Sequence, residues 1–497
     1  MARKWWTLVV VCVATFILLL DITVVNVALP SIREDLDASF IDLQWVIDAY
    51  ALTLAAFVLT SGSLADRLGR RRVFVMGLVV FTIASALCAL STGPLMLNCS
   101  RALQGVGGAI MFAVSLALLA QEFRGDERAR ATAIYGATIG LAIVVGPLAG
   151  GALTDGIGWR SIFWINVPIG VVAVLVTLRW VAESRDPRAR GIDWLGLVIF
   201  SLANTLLVYI LIRANDLGFG SPAVIGGVTG AVLLFAAFVW IESRVGQPML
   251  PLEYFRNRTF TAAQIGAVAL SGSMFALYLY ITLYVQNILG YSPFESGLIY
   301  LPSAGVSLVV AGATAAAVGR VPLRFLLSGG LALTALGLVL LAGRETGETW
   351  TGLLPGFLVT GVGVGMINPV IANLALSTVP DEHSGVASGI NDTFRQVAIA
   401  TGVAAFGALL LSRATDHIAS ALPALGHSGA SDLAEAISSG GLPQGSPAPV
   451  LTAAQEGFVT GLNEVLLMGA GLALAGALLT LWLVRASDLR DPVEPSA

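Results

Sequence analysis

Apolar runs of about twenty residues, each long enough to cross roughly 30 Å of hydrocarbon as a helix, recur from one end of the chain to the other. Fourteen can be counted, at roughly 7–29, 44–64, 73–91, 95–120, 131–153, 161–181, 194–212, 223–241, 261–289, 296–318, 322–343, 350–376, 385–411 and 459–484. Hydrocarbon offers no hydrogen bonds, so each segment must satisfy its own backbone, and a bundle of spanning helices is the fold open to this pattern. Composition agrees: charged residues are 12% of the chain and hydrophobic ones 56%, far from the balance of soluble domains. The first run is longer than the apolar core of a signal peptide and is expected to stay as a helix.

Orientation follows from the basic residues. With the N-terminus in the cytoplasm, 20 Lys and Arg lie inside, and Arg33, Arg160, Arg213, Arg344 and Arg413 are the 5 outside, a clear positive-inside bias. Trp5, Trp6, Trp180, Trp194, Trp240 and Trp482 then mark inner helix ends, and Trp45, Trp159 and Trp350 outer ones. Both termini are expected in the cytoplasm.

An internal repeat is legible. Gln104-Gly105-Val106-Gly107-Gly108 in the fourth run is echoed by Thr360-Gly361-Val362-Gly363-Val364 in the twelfth, and each copy leads to an acidic pair, Asp126-Glu127 and Asp381-Glu382. The reading is an all-α polytopic membrane protein. Residues 1–185 form an N-terminal six-helix bundle, 186–255 two inserted helices, and 256–497 a C-terminal six-helix bundle with an external loop at 412–458. Paired bundles around a midplane site are the architecture of alternating-access transporters.

The two copies differ in chemistry. Arg101 corresponds to Phe357, and no Asp in the second half mirrors Asp21. A carboxylate at bilayer depth costs several kcal/mol and is kept where it takes up a proton, binds a cation or pairs with a base. Asp21 lies about 22 Å along its helix from Trp6 at 1.5 Å per residue, at the depth of Asp48 and Arg101. Asp21 is expected to be a proton acceptor whose affinity Arg101 sets; a static ion pair is the structural alternative. Asp48 is a second candidate, or a group facing a wet vestibule.

The motifs carry a resemblance. Leu20-Asp21-Ile22-Thr23-Val24-Val25-Asn26-Val27-Ala28-Leu29-Pro30, Gly62-Ser63-Leu64-Ala65-Asp66-Arg67-Leu68-Gly69-Arg70-Arg71-Arg72 and Arg101-Ala102-Leu103-Gln104-Gly105-Val106-Gly107-Gly108 resemble, over essentially the whole chain, the major facilitator superfamily and its fourteen-helix drug:proton antiporter branch. The resemblance implies that Gly62, Asp66, Arg67, Gly69 and Arg70 form a gating loop that latches the two halves in an outward-open state. Physically, Gly62 and Gly69 permit a tight reversal and Asp66 can cap or pair at the next helix. The matching loop of the second half, Gly319–Arg324, is degenerate, so any latch would be one-sided. Gly146-Pro147-Leu148-Ala149-Gly150-Gly151 is similar to the motif of exporters, in which the proline bends the helix and Gly146, Gly150 and Gly151 allow close contact. It implies outward transport.

The expected function is proton-coupled antiport of lipophilic, chiefly cationic drugs, dyes or antibiotics across a bacterial plasma membrane. Export of an amphipathic lipid or metabolite by the same fold is the alternative. Asp48, Tyr50, Tyr278, Tyr284 and Asn368 are candidate substrate contacts, because aromatic faces beside carboxylates suit lipophilic cations. Asp392 and Arg395, one turn apart, can neutralise each other, and Glu464 opens the last helix near the outer surface. The Gly- and Ser-rich 412–458 segment reads as a mobile loop. The three cysteines and three histidines show no metal-ligand or disulfide spacing, no Gly-Lys-Ser/Thr loop occurs, and no basic stripe suits nucleic acid. An enzyme is not expected; the partners are small molecules, protons and lipid, the energy source is the proton gradient with no cofactor, and the expected unit is a monomer.

Overall fold

A computed structural model describes residues 3–123, 125–185, 191, 193–318, 320–379, 384–439 and 447–485. Among them are thirteen helices long and apolar enough to span a bilayer, and fourteen when the bent pair Ile134–Ala142 and Val145–Gly156 is taken as one span. In chain order they are α1 (Arg3–Leu36), α2 (Phe40–Leu68), α3 (Arg70–Ala89), α4 (Pro94–Glu122), α5 (Gly125–Gly156), α6 (Ser161–Trp180), α7 (Trp194–Ile212), α8 (Pro222–Glu242), α9 (Arg258–Ile288), α10 (Pro293–Ala317), α11 (Leu323–Leu341), α12 (Leu354–Ser377), α13 (Ser384–Ala421) and α14 (Ala448–Leu483). Helices α1–α6 and α9–α14 make two six-helix bundles. The inserted α7 packs against both α2 and α13 along the seam between them, and α8 packs on α7. Large apolar side chains such as Leu175, Leu233, Val309 and Leu478 stay exposed, as the side facing lipid requires.

The repeat seen in the sequence is a repeat of packing. A Cβ on Gly105 would come 2.5 Å from Tyr50 O of α2, and one on Gly107 2.5 Å from Phe81 N of α3. In the second half a Cβ on Gly361 would come 2.5 Å from Ser303 O of α10, and one on Gly363 2.6 Å from Gly330 O of α11. Where helices gain little from excluding water, close backbone approach over small residues is a main source of association. Corresponding pairs of glycines thus seat α4 between α2 and α3 and α12 between α10 and α11.

With fourteen spans between them, Arg3 and Arg485, the first and last described residues, lie at one face, here the terminal face, where Arg3 Nε donates to Trp180 O at 2.7 Å and Arg485 N to Thr259 Oγ1 at 3.0 Å. At the far face the halves are joined. Gln286 Nε2 of α9 donates to Val27 O of α1 at 2.8 Å, Gln44 Nε2 of α2 to Tyr280 OH and Val403 O at 3.2 Å each, and Phe294 N of α10 to Asp155 Oδ2 at 3.3 Å. This conformation is closed on that side.

The 412–458 segment is not a long loop. α13 continues to Ala421, α14 starts at Ala448, and between them Gly426–Ser439 forms a helix. Its Ala430, Ala434 and Ile437 are buried, at the i, i+4, i+7 spacing of one helix face, and Asn287 Nδ2 reaches Ser438 O at 3.5 Å. Glu464 therefore sits well inside α14, where it pairs with Arg413 of α13 at 2.8 Å. The acidic pair Asp381-Glu382 lies outside the described residues.

Candidate functional site

Five helices of the first half converge on Asp21. Its carboxylate is ion-paired to Arg101 Nη1, and Asp21 and Arg101 are each 2% exposed. Oδ1 also accepts from Gln104 Nε2 at 2.9 Å and from Asn166 Nδ2 at 3.1 Å. Arg101 donates through Nε to Val46 O at 3.0 Å and through Nη1 to Gln104 Oε1 at 2.7 Å, and its guanidinium lies 4.3 Å from the centre of the Tyr50 ring. Gln104 closes the circuit by donating to Ser85 Oγ at 2.8 Å and accepting from Cys88 Sγ at 3.7 Å. One positive and one negative charge are thus buried together with nearly every polar atom paired. A pair of this kind adds little net stability, because desolvation offsets the attraction, but it costs a great deal to break from one side.

Asp48 is brought near this cluster but not into it. It is fully buried, and neither carboxylate oxygen has a hydrogen-bond partner among the described residues. One turn before it on α2, Gln44 makes the contact to Tyr280 and Val403 that closes the seam. Burying a carboxyl group without partners is costly, and water or a cationic guest reaching it would relieve that cost.

The other candidates scatter. Tyr50 lies beneath Arg101. The ring centre of Tyr278 is 6.0 Å from Phe275 and 5.3 Å from Tyr300, and Tyr300 is 5.3 Å from Phe357. The position that carries Arg101 in the first half thus ends an aromatic row in the second. Tyr284 instead donates to Glu345 O at 2.9 Å. Asn368 Nδ2 donates to Val364 O at 3.3 Å, and its Oδ1 is buried without a partner among the described residues. Asp392 and Arg395 form no direct ion pair; Arg395 lies 5.8 Å from the Phe275 ring.

In the loop between α2 and α3, Gly69 alone makes the reversal, with φ +113. Gly62 is inside α2, and a Cβ there would meet nothing within 4 Å, so the tight turn does not need it. Arg70 Nε binds Asp66 Oδ1 at 2.9 Å, Arg70 N binds Ser184 O at 2.9 Å and Arg71 N binds Glu183 Oε1 at 3.1 Å. These partners all belong to the first half. Arg67 lies on the exposed side of the loop.

The Gly146–Gly151 motif spans the seam. α5 bends by 43° between Ala142 and Val145, the turn where Pro147 lacks an N–H and its ring displaces the carbonyl four residues back. Gly146 faces Thr23 and Gly150 faces Val24 of α1, while a Cβ on Gly151 would come 2.7 Å from Phe294 Cα of α10. From the other side, a Cβ on Gly297 would come 2.5 Å from Pro147 O. The motif lets α5 touch α1 and α10 at once.

Comparisons fit this geometry. The family model described as Major Facilitator Superfamily matches residues 11–403. The tetracenomycin C resistance and export protein of Streptomyces glaucescens is 32% identical, with 99% of this chain and 94% of that protein aligned. The multidrug resistance protein Stp of Mycobacterium tuberculosis (strain CDC 1551 / Oshkosh) is 35% identical over 81% of this chain and 75% of its own length, and the puromycin resistance protein pur8 of Streptomyces alboniger is 35% identical over 81% of each. Among solved structures, a bacterial homolog of the human lysosomal transporter Spinster, in an inward-facing and unoccupied conformation, superposes with a TM-score of 0.64 at 17% identity over 99% of both chains, a likeness of fold. The protein belongs to the Major Facilitator Superfamily.

Proposed function

We propose that this protein exports lipophilic, chiefly cationic drugs or antibiotics in exchange for protons, with the terminal face in the cytoplasm of a bacterial cell and the far face outside. The observation that carries the reading is the buried Asp21–Arg101 pair, held by Gln104 and Asn166 in one half and replaced by aromatic side chains in the other. Relatives named for resistance or export of antibiotics support the direction and the cargo.

In the proposed cycle a proton enters from the far side and adds to Asp21. The carboxyl becomes neutral and the pairing with Arg101 weakens, while Val46 O, Gln104 Oε1 and the Tyr50 face still hold the guanidinium. The halves then rock until the far seam closes, and the proton leaves toward the cytoplasm as drug enters. Asp48 offers a second negative charge that a cationic drug and a proton would compete for, which couples their movements by mutual exclusion. Asp66 and Arg70 would latch the opposite conformation. Tyr278 and Asn368, set back from the ion pair, would contact drug.

Ethidium accumulation in everted vesicles under an imposed proton gradient tests the reading. Wild type is expected to accumulate dye and Asp21→Asn to lose gradient-driven accumulation. No accumulation by wild type turns attention to lipid or metabolite export; undiminished accumulation in Asp21→Asn removes Asp21 from the proton path.

A further inference from the structure

The inserted helices meet at the terminal face in an arrangement that the proposed cycle does not use. Asp193 caps α7, its Oδ1 accepting from Gly196 N at 2.8 Å. Glu242, the last residue of α8, accepts through Oε2 from Leu250 N at 2.9 Å and is 3% exposed. Each carboxyl gives one oxygen to a backbone N–H. The remaining oxygens, Asp193 Oδ2 and Glu242 Oε1, are buried with no partner of opposite hydrogen-bonding character among the described residues.

These two oxygens converge on one small space. Both lie over Gly196, where a Cβ would come 2.6 Å from Asp193 Oδ2 and 2.5 Å from Glu242 Oε1. The glycine is what lets them meet. Among the described residues no cation is ion-paired with either carboxyl: Arg244 lies 4.4 Å from the Trp240 ring, and Gln247 Oε1 accepts from Gly191 N. Beyond Leu250 the surroundings are the apolar cluster of Phe200, Phe238 and Phe260.

Two ionised carboxylates held this way repel, whereas one proton between them turns the contact into an O–H···O⁻ hydrogen bond, among the stronger kinds. A bridging hard cation would want six or more oxygen ligands, and the flanking backbone groups here are N–H donors. We propose that Asp193 and Glu242 form a proton-binding site, a carboxylic acid paired with a carboxylate, that ties the start of α7 to the end of α8 and opens when the shared proton is lost. Because α7 rides on both α2 and α13, this clasp governs how the inserted pair sits on the seam between the halves.

Melting of the full-length protein in detergent, followed from roughly pH 5 to pH 9, tests this for wild type, Glu242→Gln and Asp193→Asn. Gln and Asn keep a donor across the pair at every pH, and Asn keeps the helix cap. Folded wild type binds one proton more than the unfolded chain while the pair is closed, so its stability must fall as pH rises. Relative to either variant, its folded-to-unfolded ratio is expected to drop by up to about tenfold per pH unit. A wild-type minus Glu242→Gln infrared difference spectrum at neutral pH should contain the C=O stretch of a protonated carboxyl. Gly196→Ala, which changes no titratable group, should abolish both signals. Superimposable pH profiles for wild type and the two carboxyl variants overturn the proposal. So does stabilisation of wild type alone by Ca²⁺ or Mg²⁺, which would make the pair a cation site.

Discussion

The Asp21–Arg101 pair gives the most quantitative test. In Asp21→Asn the guanidinium keeps Val46 O and Gln104 Oε1 but loses its counter-charge in a position 2% exposed. Leaving a buried charge uncompensated costs about 3–5 kcal/mol. Arg101→Gln is the milder change, because Asp21 still accepts from Gln104 and Asn166, and hydrogen bonds to a charged group are worth about 1.5–3 kcal/mol each. The double variant Asp21→Asn/Arg101→Gln has no buried charge and should recover much of the loss, with a coupling of about 2–3 kcal/mol. Reversible denaturant unfolding in mixed micelles measures the four corners of this cycle, and gradient-driven transport should be missing from all three variants. Additive losses, with coupling under about 0.5 kcal/mol, would refute the pair; a double variant that still couples dye movement to the gradient would refute its role.

Other outcomes follow from the packing. Gly151→Leu should block closure of the far seam by driving a side chain into Pro293-Phe294, stopping export and exposing a cysteine placed at Gln286 to a thiol reagent added on that side. Pro147→Ala restores a helix hydrogen bond, and the straightened α5 should lose its contact with Gly297; at least roughly tenfold slower export, equal to about 1.4 kcal/mol, is expected in the vesicle assay. Gly105→Val and Gly361→Val should each cost about 1–3 kcal/mol of unfolding free energy by overpacking, although only the first lies in the half with the buried ion pair. Asp66→Asn removes a pair that is partly exposed, 35% and 24% at its two ends, so unfolding should change by less than about 1 kcal/mol while transport slows.

The helices and the repeat were legible because a bilayer leaves so little choice: apolar length fixes each span, and small residues fix where two spans touch. Asp21 and Arg101 stood out for the same reason, since their burial is costly unless paired. Gln104, Asn166 and Gln44 were harder to assign a role, because an uncharged amide inside a membrane protein is cheap enough to occur for packing alone. The signal for Gln104 was its i+3 spacing from Arg101. The Gly426–Ser439 helix was obscured by its Gly, Ser and Ala content, although Ala430, Ala434 and Ile437 carried a helical period. Gly62 and Gly69 look alike in sequence; only the backbone angle separates a helix interior from a turn.

The two halves share a packing scheme and differ in what it surrounds. Gly105 and Gly361 seat matching helices, yet one encloses a titratable pair and the other the row Phe357, Tyr300, Tyr278 and Phe275. In the proposed cycle protonation alters the interior of only one of these two places, and the change would have to cross to the second half through an element common to site and seam. α1 is that element. Asp21 stands one turn from Val24, which lies against Gly150, and Thr23 lies against Gly146. A further turn on, Val27 O accepts the Gln286 hydrogen bond from α9. A small rotation of α1 as Asp21 releases Arg101 would bear at once on the bent α5 and on one of the contacts that close the far face. Coupling between charge and gate then needs no long relay, because the carboxyl and the seam are carried on two turns of one helix.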